Sequence, residues 1–214
     1  MHRRLSSIIA VVALTTGAVV NADAQIFQPR RSGEPSVWIG ASVGYFVPGT
    51  VVDGRSNSTW NFGSDIQYRL SLEVPVGRGA TVGAFGSWSR MPLDYTVRGG
   101  GFPIQNAHAD LWSAGGQLHI GGGRGFHQII DVGLGAMGYR NFREDGTDTE
   151  LAPDADTDFF VSLGYGFGFP IGQRTVVTLV QDAGYSFHQR DGLSGSARTA
   201  TRFFNLRAGM RAGF

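Results

Sequence analysis

The 214-residue chain has no cysteine and no lysine; all 18 of its basic residues are arginine. Without cysteine there is no disulfide framework, no thiol nucleophile and no cysteine for a lipoprotein anchor. Charge is sparse as well, at 16% of residues, against roughly 25% in ordinary soluble domains. The formal net charge is +1, and setting aside Arg3, Arg4 and Asp23 in the first 24 residues leaves 16 arginines against 16 acidic residues. A chain so balanced has no basic surplus to recruit nucleic acid. Long apolar runs are also missing: after residue 24 none reaches the ~20 residues of a membrane-spanning helix. Glycine, by contrast, is abundant at 33 residues.

Met1 to Ala24 reads as a secretory signal peptide, with Arg3 and Arg4 ahead of the apolar stretch Ile8 to Val20 and a small-x-small cleavage site at Ala22-Asp23-Ala24. Residues 25–35 then form a short polar lead-in on the periplasmic side. Residues 36–214 alternate between apolar and polar positions, the period of a β-strand with two unlike faces.

Eight such strands are predicted: Val37–Phe46, Gly63–Val74, Ala80–Arg90, Asp110–Ile120, Gln128–Tyr139, Phe159–Phe169, Val176–Phe187 and Thr201–Phe214. The second alternates most sharply. Ile66, Tyr68, Leu70, Leu72 and Val74 take one side; Asp65, Gln67, Arg69, Ser71 and Glu73 take the other. A continuous polar row with three charges cannot be the core side of a soluble strand. Strands of about ten residues suffice to cross a bilayer when tilted, and only a closed barrel pairs every amide there. The connections alternate between three short glycine- or proline-containing turns and four long loops, the asymmetry of single-chain outer-membrane barrels. The expected fold is therefore all-β, an eight-stranded antiparallel up-and-down transmembrane barrel.

From Phe204 every second residue is apolar, through Leu206, Ala208, Met210 and Ala212 to Phe214. This stretch resembles the C-terminal assembly signal of bacterial outer-membrane barrels. With the signal peptide, the two-residue period and the loop asymmetry, residues 36–214 resemble the small eight-stranded outer-membrane barrel family, of the OmpA membrane-domain and opacity-protein type. The peptidoglycan-binding domain of OmpA-type proteins is not expected here. The resemblance implies an outer-membrane location, lipopolysaccharide and outer-membrane lipids as neighbours, and recognition of the last strand by the barrel-assembly machinery.

Eight strands enclose a lumen just wide enough for side chains. The inward parity holds Asp65, Arg69, Glu73, Asp131, Asp182, Arg207 and Arg211, with inward glycines making room for them. These seven are the candidate lumen network, and they predict a plugged interior. An ion pair between Asp182 and Arg207 is expected from the hairpin of the last two strands. His119 reads as a further hydrogen-bonding group of the lumen. The loop from Glu144 to Asp158 carries seven carboxylates in fifteen residues; binding of Ca²⁺ or Mg²⁺ between lipopolysaccharide heads is one reading, but the spacing does not match an EF-hand loop, and it reads first as a solvated acidic loop. Ser186, His188 and Asp182 share one parity, but on the lumen side, where a lipid substrate does not lie. Gly121 to Gly125 reads as a hairpin turn, with no helix after it to make a phosphate loop.

No catalytic, cofactor or metal residues are assigned on these grounds. The expected role is structural, in envelope integrity or surface interaction with a ligand of the outer loops. A small solute channel is the alternative, and a lipid A-modifying enzyme a weaker one.

Overall fold

The computed structural model describes residues 35–77, 79–100, 103–122, 125–147, 149–153, 155–189 and 200–214. The signal-peptide and lead-in readings, Asp148, Asp154 and the centre of the last loop fall outside them.

Among the described residues ten strands follow one another without a helix: β1 (Trp38–Val47), β2 (Val51–Asp53), β3 (Ser58–Phe62), β4 (Asp65–Gly77), β5 (Ala80–Val97), β6 (Ile104–Ile120), β7 (His127–Glu144), β8 (Ala155–Pro170), β9 (Thr175–Phe187) and β10 (Ala200–Gly213). Eight of them close into an antiparallel barrel in the order β5-β4-β1-β10-β9-β8-β7-β6, with β6 pairing back onto β5. The first and last barrel strands lie side by side, Trp38 opposite Gly213 and Val47 opposite Phe204. Short turns join β4 to β5, β6 to β7 and β8 to β9, and Trp38 and Phe214 lie at that same end. The long connections gather at the other.

The two-residue period sorts the faces as expected. Leu70, Leu163, Leu206 and Phe214 are each more than half exposed, as large apolar side chains on an outer surface. The outward positions between Tyr68 at the loop side and Val74 at the turn side, and their equivalents on the other strands, carry no charged residue. A water-facing barrel could not tolerate so continuous an apolar band; it is the band of a barrel in lipid. Stacked aromatics mark its loop-side edge: Tyr68 on Trp88, and Phe159 on Phe187. The Trp112 ring fills the outward space left by Gly138 on the next strand.

Three expectations need correcting. The eight wall strands stand as expected, but among the described residues the first long loop also contains the β2–β3 hairpin, whose second strand pairs with the end of β5, Trp60 opposite Tyr95. A three-residue strand is too short to show a period. Next, β5, β6 and β7 extend well beyond the limits expected for them, so the loops between them are shorter than predicted. The added residues of β5 put Met91, Leu93 and Tyr95 inside, all nearly buried. Finally, Asp156 and Asp158 are not in a solvated loop. They lie on β8 and face inward, 8% and 1% exposed, because the extended β7 supplies ladder partners for them, Met137 opposite Asp158 and Tyr139 opposite Asp156.

Candidate functional site

The interior divides into two storeys. In the half nearer the short turns, polar side chains fill the lumen. Arg207, on β10, directs Nε to Asp182 Oδ2 at 2.7 Å and bonds Asp131 through Nη2. The two carboxylates come from β9 and β7, so one guanidinium ties three strands. The ladder places Asn205, not Arg207, opposite Asp182; the arginine stands opposite Val180, two pairs further along, and reaches its partner diagonally. Arg211 bonds Glu73 through Nη2, Thr81 Oγ1 at 3.1 Å and His119 Nε2 at 2.6 Å. Because a guanidinium can only donate, His119 accepts at Nε2 and gives its Nδ1 proton to Asp131, 2.6 Å away. Arg69 donates to Gln117 Oε1 at 2.5 Å and lies over the Phe85 ring, 3.6 Å from its centroid.

Six of the seven candidate residues thus meet, as three arginines and three carboxylates. Buried charge is tolerated when it is paired and its hydrogen bonds are satisfied. Asp65 does not join them. It lies at the loop-side start of β4, opposite Phe46, and its carboxylate accepts the amide of Ile66 at 2.6 Å. Glycine makes room for the network: a Cβ on Gly164 would overlap the Asp182 carboxylate, and one on Gly40 would overlap Ser71. The cavity that remains among Arg69, Glu73, His119, Asp131, Arg207 and Arg211 is about 20 Å³, room for little more than one water.

In the half nearer the long loops the interior is aromatic. Phe46, Phe160 and Phe203 pack across the lumen. Above them Trp60, from the β2–β3 hairpin, is fully buried against Phe142 (centroids 4.8 Å apart), Tyr139 (5.5 Å) and the edge of His188 (5.3 Å). The hairpin closes the barrel mouth.

Set into this apolar plug is a second polar group. One residue past the last β8–β9 ladder pair, Phe159 with Phe187, His188 stands across from Asp158 and its Nδ1 is 2.8 Å from Asp158 Oδ1. Asp158 Oδ2 accepts the Tyr139 hydroxyl at 2.9 Å. On the other side of the ring, His188 Nε2 faces Asp53 Oδ1 at 3.4 Å and Asp156 Oδ2 at 3.8 Å. Asp53 is held by its own turn: Oδ1 accepts the Arg55 amide at 3.0 Å and Oδ2 the Ser56 amide at 2.7 Å. Burial alone would depress the His188 pKa, but the bond to Asp158 and the surrounding carboxylates raise it above the ordinary imidazole value. Burial would likewise raise Asp53, yet the Ser56 and Arg55 bonds and His188 hold it below the ordinary carboxylate value.

Ser186 and His188 both lie inside, as their parity predicts, but Asp182 is turned away to Arg207 and no Ser-His-acid line forms. Ser186 bonds Tyr139 instead. The importance of Asp53, Asp156, Asp158 and His188 escapes the sequence reading. Carrying the even-numbered inward parity of β8 back past Ser162 and Phe160 reaches Asp158 and Asp156, and that of β9 carried forward reaches His188; this was the available signal. For Asp53, at the end of a three-residue strand, there was none.

No protein-family model and no curated protein matches the sequence. Solved structures do match the fold. The outer membrane protein OprG from Pseudomonas aeruginosa superposes with a TM-score of 0.56 at 10% identity, over 89% of this chain and 99% of that one. Neisserial surface protein A superposes with a TM-score of 0.52 at 9% identity, over 86% of this chain and all of that one. At such identity the likeness is one of fold: this chain has the architecture of the small eight-stranded outer-membrane barrels.

Proposed function

We propose that the protein is an integral outer-membrane barrel that acts as a plugged structural and surface-interaction element rather than as a solute channel. One observation carries the reading: the lumen is sealed twice, by the arginine–carboxylate network and by the aromatic plug under the β2–β3 hairpin. A pore needs a continuous wet path, and the cavity of about 20 Å³ inside the network leaves none at that level. The charge-free apolar belt supports residence in lipid, and the signal-peptide pattern of residues 1–24 supports export with cleavage after Ala24.

The short turns then face the periplasm and the long loops face outside, with lipopolysaccharide around the loop-side aromatic edge. The last strand, with Leu206, Met210, Ala212 and Phe214 outward, is the segment offered to the assembly machinery. The cap built by β2, β3 and the extended ends of β5, β6 and β7 is the surface for an external ligand. The experiment is single-molecule conductance of the refolded protein in planar bilayers. Bilayers containing the barrel should stay at the baseline of protein-free ones across a range of voltages. Stable unitary steps would overturn the reading in favour of the channel.

A further inference from the structure

Three buried carboxylates converge on one imidazole at the mouth of the barrel, and their charges do not balance. Among the described residues, the ion pairs of Asp53, Asp156 and Asp158 all run to His188. The four side chains are between 0% and 5% exposed. Among the described residues, even a doubly protonated His188 would leave two negative charges in excess, next to the rings of Trp60 and Tyr139. The lower network, by contrast, sets three guanidiniums against three carboxylates.

We infer that Asp53, Asp156 and His188 form a binding site for a divalent transition-metal ion of the Zn²⁺ type, with Asp158 as the outer partner that orients the histidine. Their ligand atoms all lie within 4.8 Å of one another. Two ligands bound tetrahedrally at zinc distances sit about 3.4 Å apart, and Nε2 is 3.4 Å from Asp53 Oδ1 and 3.8 Å from Asp156 Oδ2. Neither separation is a good hydrogen bond, and Asp156 Oδ2, on a side chain 5% exposed, makes no shorter polar contact among the described residues. With Nδ1–H given to Asp158, the Nε2 lone pair points between the two carboxylates, the carboxylate–histidine–metal arrangement of metal sites. Asp158 is fixed in turn by Tyr139, and Asp53 by the Arg55 and Ser56 amides. One nitrogen and two carboxylates favour a borderline ion over Ca²⁺, which takes six to eight oxygens.

The ligands come from three places: the β2–β3 hairpin, β8 and the end of β9. The ion therefore staples the hairpin cap to the barrel wall. This goes beyond the sealed-barrel reading and does not depend on it: a channel could bear the same site.

The test uses untagged, chelator-treated barrel in detergent, titrated with Zn²⁺ by calorimetry. The wild type should bind one ion at a saturable site, with Ca²⁺ at equal concentration failing to compete. Asp156→Asn and His188→Gln should each weaken binding at least about tenfold, and Asp158→Asn by about 10–100-fold, whereas Glu144→Gln at the loop-side end of β7 should leave it unchanged. X-ray absorption of the zinc-loaded wild type should show one imidazole among nitrogen and oxygen ligands, so the assignment holds even where a variant folds poorly. Zinc should also slow hydrogen exchange in residues 51–62, and should not do so in Asp156→Asn. No saturable binding, equal binding in wild type and Asp156→Asn, or no imidazole in the zinc shell would each overturn the proposal.

Discussion

The two storeys of the barrel interior solve the same problem differently. Both fill a lumen of eight strands, and both place charge inside it. The turn-side storey balances its charges strictly and uses few apolar side chains, Phe85 under Arg69 and Val180 beside the cavity among them. The loop-side storey is built from aromatic rings contributed by the barrel wall and a hairpin, with one unbalanced acidic group embedded in them. The difference teaches that plugging and charge neutrality are separable. Where strands alone supply the side chains, polar groups pair across the lumen. Where a loop can fold back over the mouth, apolar packing closes it, and charge there stands out as a departure.

The largest effect expected from breaking this contrast is in the lower storey. Arg207→Ala strands Asp131 and Asp182 together without their common partner and should cost about 3–5 kcal/mol of folding free energy in reversible unfolding from lipid vesicles. Replacing Arg207 with Met together with Asp131→Asn and Asp182→Asn should recover most of that loss. A double-mutant cycle between Asp182→Ala and Arg207→Ala should give a clear coupling energy; a value of zero would mean that the pair seen at 2.7 Å contributes nothing.

An intermediate effect is expected in the upper storey. Trp60→Ala removes the largest fully buried side chain and should cost about 3 kcal/mol, the lower end for a buried tryptophan. Because Trp60 sits on the hairpin and not on the wall, the loss should be local. Hydrogen exchange should quicken in residues 51–62 while β8, β9 and β10 keep their protection. Equal loss of protection in the wall would show that plug and barrel unfold as one unit.

The smallest effect concerns the rim that joins the storeys to the outside. Burial alone would raise the Asp110 pKa, but the Arg90 guanidinium, 3.0 Å away, and the Asn141 amide hold it below the ordinary value of 3.8. A lowered carboxylate stabilises the fold above its ordinary value, and the contribution is lost as pH falls through the lowered one. Arg90 is more than half exposed, so the contribution should be below about 1 kcal/mol. Stability curves of wild type and Asp110→Asn should differ at pH 6 and converge on acidification; parallel curves would remove the pair from the account.

The barrel was legible because facing obeys a strict period of two. Each strand reports its own inside and outside residue by residue, from Ile66 to Glu73 as from Phe204 to Phe214, and the candidate lumen residues follow from parity alone. Asp182 and Arg207 could be paired in advance because a hairpin makes their strands neighbours. Arg207 to Asp131, and Arg211 to His119 and Glu73, could not, since those contacts cross the lumen between strands distant in sequence. The sequence by itself determined the strand count of the wall, the lipid-facing band and the inward charges of the turn-side storey, because backbone alternation is local. Only the tertiary structure decided how far β5, β6, β7 and β8 run past the bilayer, how the hairpin folds over the mouth, and that Asp53, Asp156, Asp158 and His188 meet beneath it. Strand ends are set by which neighbour remains to be paired, and a cluster drawn from a loop and two strand ends has no period to announce it.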